Sequence, residues 1–402
     1  MTADSSSPAL LPDQSPAGDL PGSADRVRAV MLAAALADAL TARLEPALPR
    51  TAPAASFSPG TGSGAAFGTA LESAPNDPQP EALRISADTQ LTLYTMDGLL
   101  ESIEWAAAGE GADETACQWL AQLRWLRTQD VEWPESAPSP LPRWIDSHEV
   151  LHADHGHQGE TLEALLTGSM GLVERPVLPQ AQDRTAVIRS IPYGLLPVGW
   201  RSVAPLSIDA AAITHGRAEA QTATTALALM LQAAQVEGCR GTQAPMRAAA
   251  QAALEVVDQL TRPTRGTTEP LRAVLDEGDP DRASEQPQST SALREQASPG
   301  RSRILDEEPP ESSSRALAIG LRCALEAEHT AAPAPEQFEI AVAAARREQG
   351  SEARGSASLA AALLAAAHGG AVLAAQPLGR LEAREVIEQA CRRWVQLLGL
   401  ED

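Results

Sequence analysis

The chain has 402 residues, of which 44% are hydrophobic and only 3% aromatic, with a formal net charge of −22 and a pI near 4.7. That length admits one large domain or two ordinary ones, and the apolar share is enough for a true core built mainly from Ala and Leu. So acidic a chain is a poor partner for nucleic acid or an anionic membrane. Every basic side chain is Arg, which excludes a Walker lysine and a Schiff-base lysine.

Alanine is the strongest helix former, and alternating β-branched runs are nearly absent, so the sequence predicts an all-α protein. The Ala/Arg bias associates it with a high-GC bacterial genome. The four cysteines, Cys117, Cys239, Cys323 and Cys391, are far apart with no CxxC pair and read as reduced core thiols. The first residues lack a basic region followed by an apolar one, and no apolar run of spanning length is free of charge or Pro/Gly breaks. A cytoplasmic protein is the expectation.

In chain order, residues 1–24 form a Ser/Pro/Asp-rich tail expected to be disordered, and Asp25 is placed to cap a first helix with Val27, Val30, Met31, Ala34 and Leu40 inward. Residues 48–80 have the composition of a long flexible loop. The stretch 84–105 begins with small polar residues, Ser86, Asp88 and Thr89. It continues into a helix with Leu93, Met96, Leu100 and Ile103 on one face. A further helix over 113–129 is expected to bury Trp119, Leu120, Leu123 and Leu126. After a Pro-rich segment at 133–142, a long amphipathic helix is entered through Thr214, His215 and Gly216. Residues 263–314 turn to Pro, Ser, Asp and Glu and read as a disordered insertion, with only LRAVL (271–275) hinting at a turn of helix. Helical patterns resume at Arg315 and run to the end. No internal repeat is visible, so residues 25–402 read as one helical domain.

Ser86, Asp88 and Thr89 can serve as an N-cap cluster, and the amide-rich start of their helix favours anions. The densest set of metal-ligating types is His148, His152, His155 and His157 with Asp146, Glu149 and Asp154. His148 and His152 stand at i, i+4, a spacing that suits zinc on a helix, although structural histidines have the same spacing. No GxSxG elbow is present.

Six blocks in order carry a resemblance: ALADALTA (35–42), SADTQLTLYTMDGLLE (86–101), GETLEALLTGSMGLVERP (159–176), VIRSIPYGLLP (187–197), ITHGRAEA (213–220) and GSEARGSASLAAALLAAAHGG (350–370). Together they resemble the ADP-ribosylglycohydrolase family, DraG-like, in its bacterial branch. The resemblance implies an all-α fold with a binuclear magnesium site that releases ADP-ribose from modified side chains. It also implies that Ser86, Ala87 and Asp88 stand where the family has TDDT, and that Glu352, Arg354 and Ser356 stand where it has the Asp, Asp and Thr of DSDST. Asp38 remains from a GDALG turn, and the family's small residues before MRxAP are replaced by Asp183, Arg184 and Thr185.

Hard cations need near-octahedral oxygen donors, and Ala87 and Arg354 remove two carboxylates while adding a permanent cation. The expectation is therefore a catalytically inactive relative, a binding, regulatory or assembly module with no cofactor, in which Arg354 pairs with Asp88 or Glu352. Its partner would be a protein or a nucleotide-like, ADP-ribose-like ligand held by Asp38, Arg184, Arg189 or His215. The alternative is an active hydrolase with an altered Mg2+ site. The oligomeric state is left open.

Overall fold

The computed structural model describes residues 23–42, 82–152, 155–156, 159–260, 264–277, 309–348 and 351–400. Most of the tail at 1–24 and the entire 48–80 loop lie outside these residues. Among the described residues there are thirteen α-helices and no β-strand, only isolated bridges. The all-α expectation holds.

The helices are α1 (Ala24–Ala42), α2 (Ala87–Ala107), α3 (Glu114–Leu126), α4 (Glu160–Leu166), α5 (Thr185–Arg189), α6 (Trp200–Ala212) and α7 (Ala218–Arg240). They continue as α8 (Pro245–Val257), α9 (Arg265–Glu277), α10 (Ser313–His329), α11 (Ala334–Ala345), α12 (Ser351–His368) and α13 (Arg384–Leu398). The core is centred on α12, which packs against α1, α7, α10 and α11. Both α1 and α12 are buried almost all round, as expected of helices too apolar to have an outer face. The stretch Glu352–Leu373 has the length and hydropathy of a membrane span. Here its side chains are mostly buried against neighbouring helices.

Small residues explain how so few aromatics suffice. Ala357, Ala360, Ala361 and Ala365 are fully buried in α12, which lets other helices approach closely. The limiting case is Gly238 in α7, where an added Cβ would lie 1.9 Å from the Ala367 carbonyl oxygen of α12. That contact is with backbone and leaves no room for a methyl.

Several local expectations change. Ser23, not Asp25, starts α1: its Oγ accepts from Arg26 N, whereas Asp25 accepts the Gly370 amide at 2.7 Å and ties the 3-10 turn that follows α12 (Gly369–Leu373) to the start of α1. On α3 the buried face is rotated, so Trp119 and Leu120 are half-buried while Trp125 fills the core and donates Nε1–H to Gln90. The 263–314 segment includes α9, with Thr267, Leu271, Val274 and Leu275 buried on a helical stripe. Its mean composition is polar, but the i, i+4, i+7, i+8 spacing of these four residues supplies the apolar face that packs on α10. Residues 278–308 lie outside the description. Three cysteines are buried and Cys239 is exposed, all four as free thiols. Burial pushes the Cys323 and Cys391 thiols up to about 12.

Where α3 begins, Glu114 meets the buried phenol of Tyr193, whose hydroxyl donates to Glu114 Oε1, while Oε2 is buried with no partner. Burial raises the Glu114 carboxyl to about 7; the Tyr193 bond opposes this, and Asp209 and Asp113 add to it.

Two predictions follow from this packing. Gly238→Ala should lower unfolding free energy by roughly 1–3 kcal/mol in chemical denaturation, against the usual gain from Gly→Ala in a helix. Because the folded carboxyl of Glu114 is raised above its unfolded value, its contribution is fully present below about 4.5 and is lost as pH rises through about 7. Glu114→Gln should remove a pH-dependent loss of about 3 kcal/mol across that window. Parallel pH profiles for the two proteins would refute this assignment.

Candidate functional site

Four chain segments converge on the start of α2. Ser86 is the N-cap residue, extended at φ −101°, ψ 175°, and its Oγ accepts from Asp88 N. The approach to the cap is fixed from the C-terminal part of the chain: Leu83 bridges Leu381, and the Ile85 amide donates to Glu382 at 2.9 Å. Asp38, on α1, completes the cap. Its Oδ2 accepts from Ser86 N at 2.6 Å and Thr89 Oγ1 at 2.7 Å, while its Oδ1 accepts from Arg354 Nε at 2.9 Å.

Arg354 therefore pairs with Asp38, not with Asp88 or Glu352. Helical geometry gives the reason. Glu352 and Arg354 are two residues apart on α12 and project in different directions, so they cannot meet, and Arg354 faces α1. Glu352 turns instead to α10 and accepts from Arg315 Nε. Asp88 takes a third arginine: Arg184 Nε lies 3.2 Å from Asp88 Oδ2, and Thr185 Oγ1 donates to Asp88 Oδ1 at 2.9 Å. Ala87 is buried and contributes only a methyl to the core. Ser356 Oγ is buried with no hydrogen-bond partner.

The site thus pairs Asp38, Asp88 and Glu352 with Arg354, Arg184 and Arg315, and Glu311 also lies 3.7 Å from Arg184 Nη1. Burial opposes the charge of Arg184, but Asp88, Glu311, Asp183 and Asp38 outweigh it and hold its pKa above the ordinary arginine value. Its stem lies across α12 at Gly355, where an added Cβ would be 2.8 Å from Arg184 Cδ and 2.9 Å from Ile188 Cδ1.

Arg184 is delivered by a tight polar hub. The Glu160 amide donates to Asp183 Oδ2, and Glu160 Oε2 accepts the amides of Gln182 and Asp183, both at 2.6 Å. Asp183 Oδ1 accepts from Thr185 N at 2.9 Å and His215 Nε2 at 3.0 Å. Glu160, Asp183 and His215 form a potential metal triad that no sequence spacing singled out, since its members come from three separate segments. Backbone amides already occupy the inward carboxylate oxygens, which makes the triad a clamp on the 182–185 turn.

Arg189 closes the same network from below. Its Nη2 donates to Ala210 O and Thr214 Oγ1, and Thr214 Oγ1 lies 2.7 Å from His215 Nδ1. Since arginine only donates, Thr214 accepts from it and can give its own proton to Nδ1, leaving Nε2–H for Asp183. Burial lowers the Arg189 pKa to about 10, with Tyr193 and Asp183 opposing. Of the four residues expected to hold a ligand, Asp38, Arg184 and His215 all have protein partners, and Arg189 is turned into the core.

The histidine segment does not form one helix. It makes two 3-10 turns, Trp144–Ser147 and Glu149–His152, with His148 between them, so His148 and His152 lose the expected i, i+4 alignment. His152 Nε2 is 2.8 Å from Asp146 O, and His155 Nε2 is 3.1 Å from Val150 O. His148 stacks edge-on against Trp144. His157 lies outside the described residues.

Sequence reasoning missed the Arg315–Glu352 pair. The signal was available in principle, because an acid placed on an apolar helix needs a cation, but one sequence does not say which helix supplies it.

A family model described as ADP-ribosylglycohydrolase matches residues 19–402. Among solved structures, one described as an "ADP-ribosylglycohydrolase-related protein complex" shares the fold with a TM-score of 0.50 at 18% identity, covering 93% of this chain and 98% of that one. No curated protein matches. The span of the family model, with the helical architecture that accompanies it, shows that this chain belongs to the ADP-ribosylglycohydrolase family.

Proposed function

We propose that this protein is a catalytically inactive ADP-ribosylglycohydrolase-like module that works by binding. The observation that carries the reading is the pairing of Asp38, Asp88 and Glu352 with Arg354, Arg184 and Arg315. The chemistry that the family resemblance implies needs two hard cations held by oxygen. A magnesium ion requires near-octahedral oxygen donors at short range and gives up its water reluctantly. Here each carboxylate faces a guanidinium, and Ala87 supplies no donor. A divalent ion ~4 Å from one guanidinium would be repelled by about 8 kcal/mol at an effective dielectric constant of 20. The residues present do not fit a magnesium pair.

One observation favours a second reading. Ser356 Oγ is buried and unpartnered, as a former ligand could be. It supports an altered Mg2+ site made by Ser86, Asp88, Glu352 and Ser356, but a single free hydroxyl does not replace the lost carboxylates.

For the module itself, the resemblance favours a protein partner or an ADP-ribose-like ligand. Incubation with ADP-ribosylated arginine substrate and millimolar Mg2+ should release no ADP-ribose, and Asp88→Ala should change nothing. Magnesium-dependent release lost in Asp88→Ala would establish the second reading instead. Calorimetry with ADP-ribose separates the two partner classes: neither heat nor a thermal shift at millimolar ligand would leave the protein partner.

A further inference from the structure

We infer that residues 138–142, Pro-Ser-Pro-Leu-Pro, form a rigid ligand presented on the surface to a protein partner with an aromatic-lined, proline-binding groove. The segment involves none of the acids at the start of α2, and its role does not depend on whether the chain hydrolyses ADP-ribose.

Proline alternates through the segment, at 138, 140 and 142. Each ring fixes its own φ at about −65° and biases the residue before it toward extended backbone, so every residue from Ala137 to Pro142 is restrained. The chain accordingly runs from Pro138 to Arg143 without helix, turn or bridge. Its burial repeats at every third residue. Ala137 and Arg143 are half-buried and Pro140 is buried, while Pro138, Ser139, Leu141 and Pro142 are exposed. A three-residue repeat is that of the polyproline II helix.

The inward edge is clamped. Arg127 Nη1 donates to Pro140 O at 2.9 Å and Nη2 donates to Ser139 Oγ, while the guanidinium lies 4.8 Å from the centre of the Trp133 ring. At the other end Arg143 Nε donates to both oxygens of the buried Asp97, and Nη1 donates to Glu104 Oε2 at 3.0 Å.

The outward edges carry the recognition. Leu141 is 82% exposed, more than any other large apolar side chain among the described residues. A single exposed leucine is ordinary on a protein surface. This one stands between two prolines on a stretch pinned from below, so it loses little freedom when it is bound. Pro138 and Leu141, three apart, share one edge of the helix, and Ser139 and Pro142 share the next. Aromatic-lined grooves dock such preformed edges. The exposed acids Asp130, Glu132 and Glu135 precede the segment, and Arg143 is already matched by Asp97 and Glu104, so the complementary groove has a basic rim.

The test titrates the full chain into isotope-labelled SH3 and WW domains, two aromatic grooves of different shape used as probes. The wild-type chain should move the groove resonances of at least one. The Pro138→Ala/Leu141→Ala/Pro142→Ala variant, changed only at exposed positions, should melt at the wild-type temperature and bind roughly tenfold more weakly or not at all. Arg127→Ala should weaken binding toward that of a free peptide spanning residues 134–144, because the clamp is lost. Groove resonances unmoved in both probes, or shifts that survive the triple variant, overturn the inference. So does a free peptide that binds as tightly as the full chain, since rigid presentation would then contribute nothing.

Discussion

The constraint on which this structure depends is that a charge taken out of water must be matched where it lies. Asp38 shows how strongly that constraint organises the fold. Its carboxylate sits at the meeting of α1, α2 and α12, accepts the Ser86 amide and the Thr89 hydroxyl, and is left with one oxygen facing α12. That oxygen takes Arg354. Buried pairs of this kind are weak contributors when compared with apolar packing, but breaking one is costly, typically about 3–5 kcal/mol. They fix geometry more firmly than they add stability. The same logic recurs at Asp97, which is fully buried between Arg124, Arg143 and the Trp144 indole and holds α2, α3 and the first 3-10 turn together.

These charges can be placed so closely because the surrounding helices are lined with alanine. A core of large side chains would keep helix axes apart, and the short Asp side chains would not reach across. With small residues on α12 and glycine at position 355, neighbouring segments approach closely enough for carboxylates on one to meet guanidinium groups on another. Composition and electrostatics are thus linked: the low aromatic content that points to helical packing also makes a dense polar centre possible.

The fold was largely legible in the sequence because helical periodicity and alanine content are local signals. The polar cap at Ser86–Thr89 and the cluster at 352–356 were also legible as places, through the order of the motifs. Their pairing was not. Arg354 was expected on Asp88 or Glu352, yet on a helix it cannot turn toward a residue two positions away, and its partner on α1 is more than three hundred residues distant. Helix α9 was hidden for the opposite reason: its polar average masked the spacing of Thr267, Leu271, Val274 and Leu275. Long-range pairing and amphipathic spacing inside a polar segment are the signals that a compositional reading loses.

That Asp38 persists beside an arginine has a physical explanation independent of any metal. Two of its three bonds stabilise the start of α2, so replacing it by an apolar residue would leave the Ser86 amide and the Thr89 hydroxyl without their acceptor. As long as that cap depends on Asp38, something positive must face its other oxygen. Asp88 stands in the same position through Thr185, which needs an acceptor where the 182–185 turn meets α2. Each carboxylate therefore has a structural duty of its own, and an arginine from a neighbouring segment meets the remaining charge. On this argument the acids at the start of α2 are met by arginines, not replaced by apolar side chains, because they also accept hydrogen bonds that hold the local backbone.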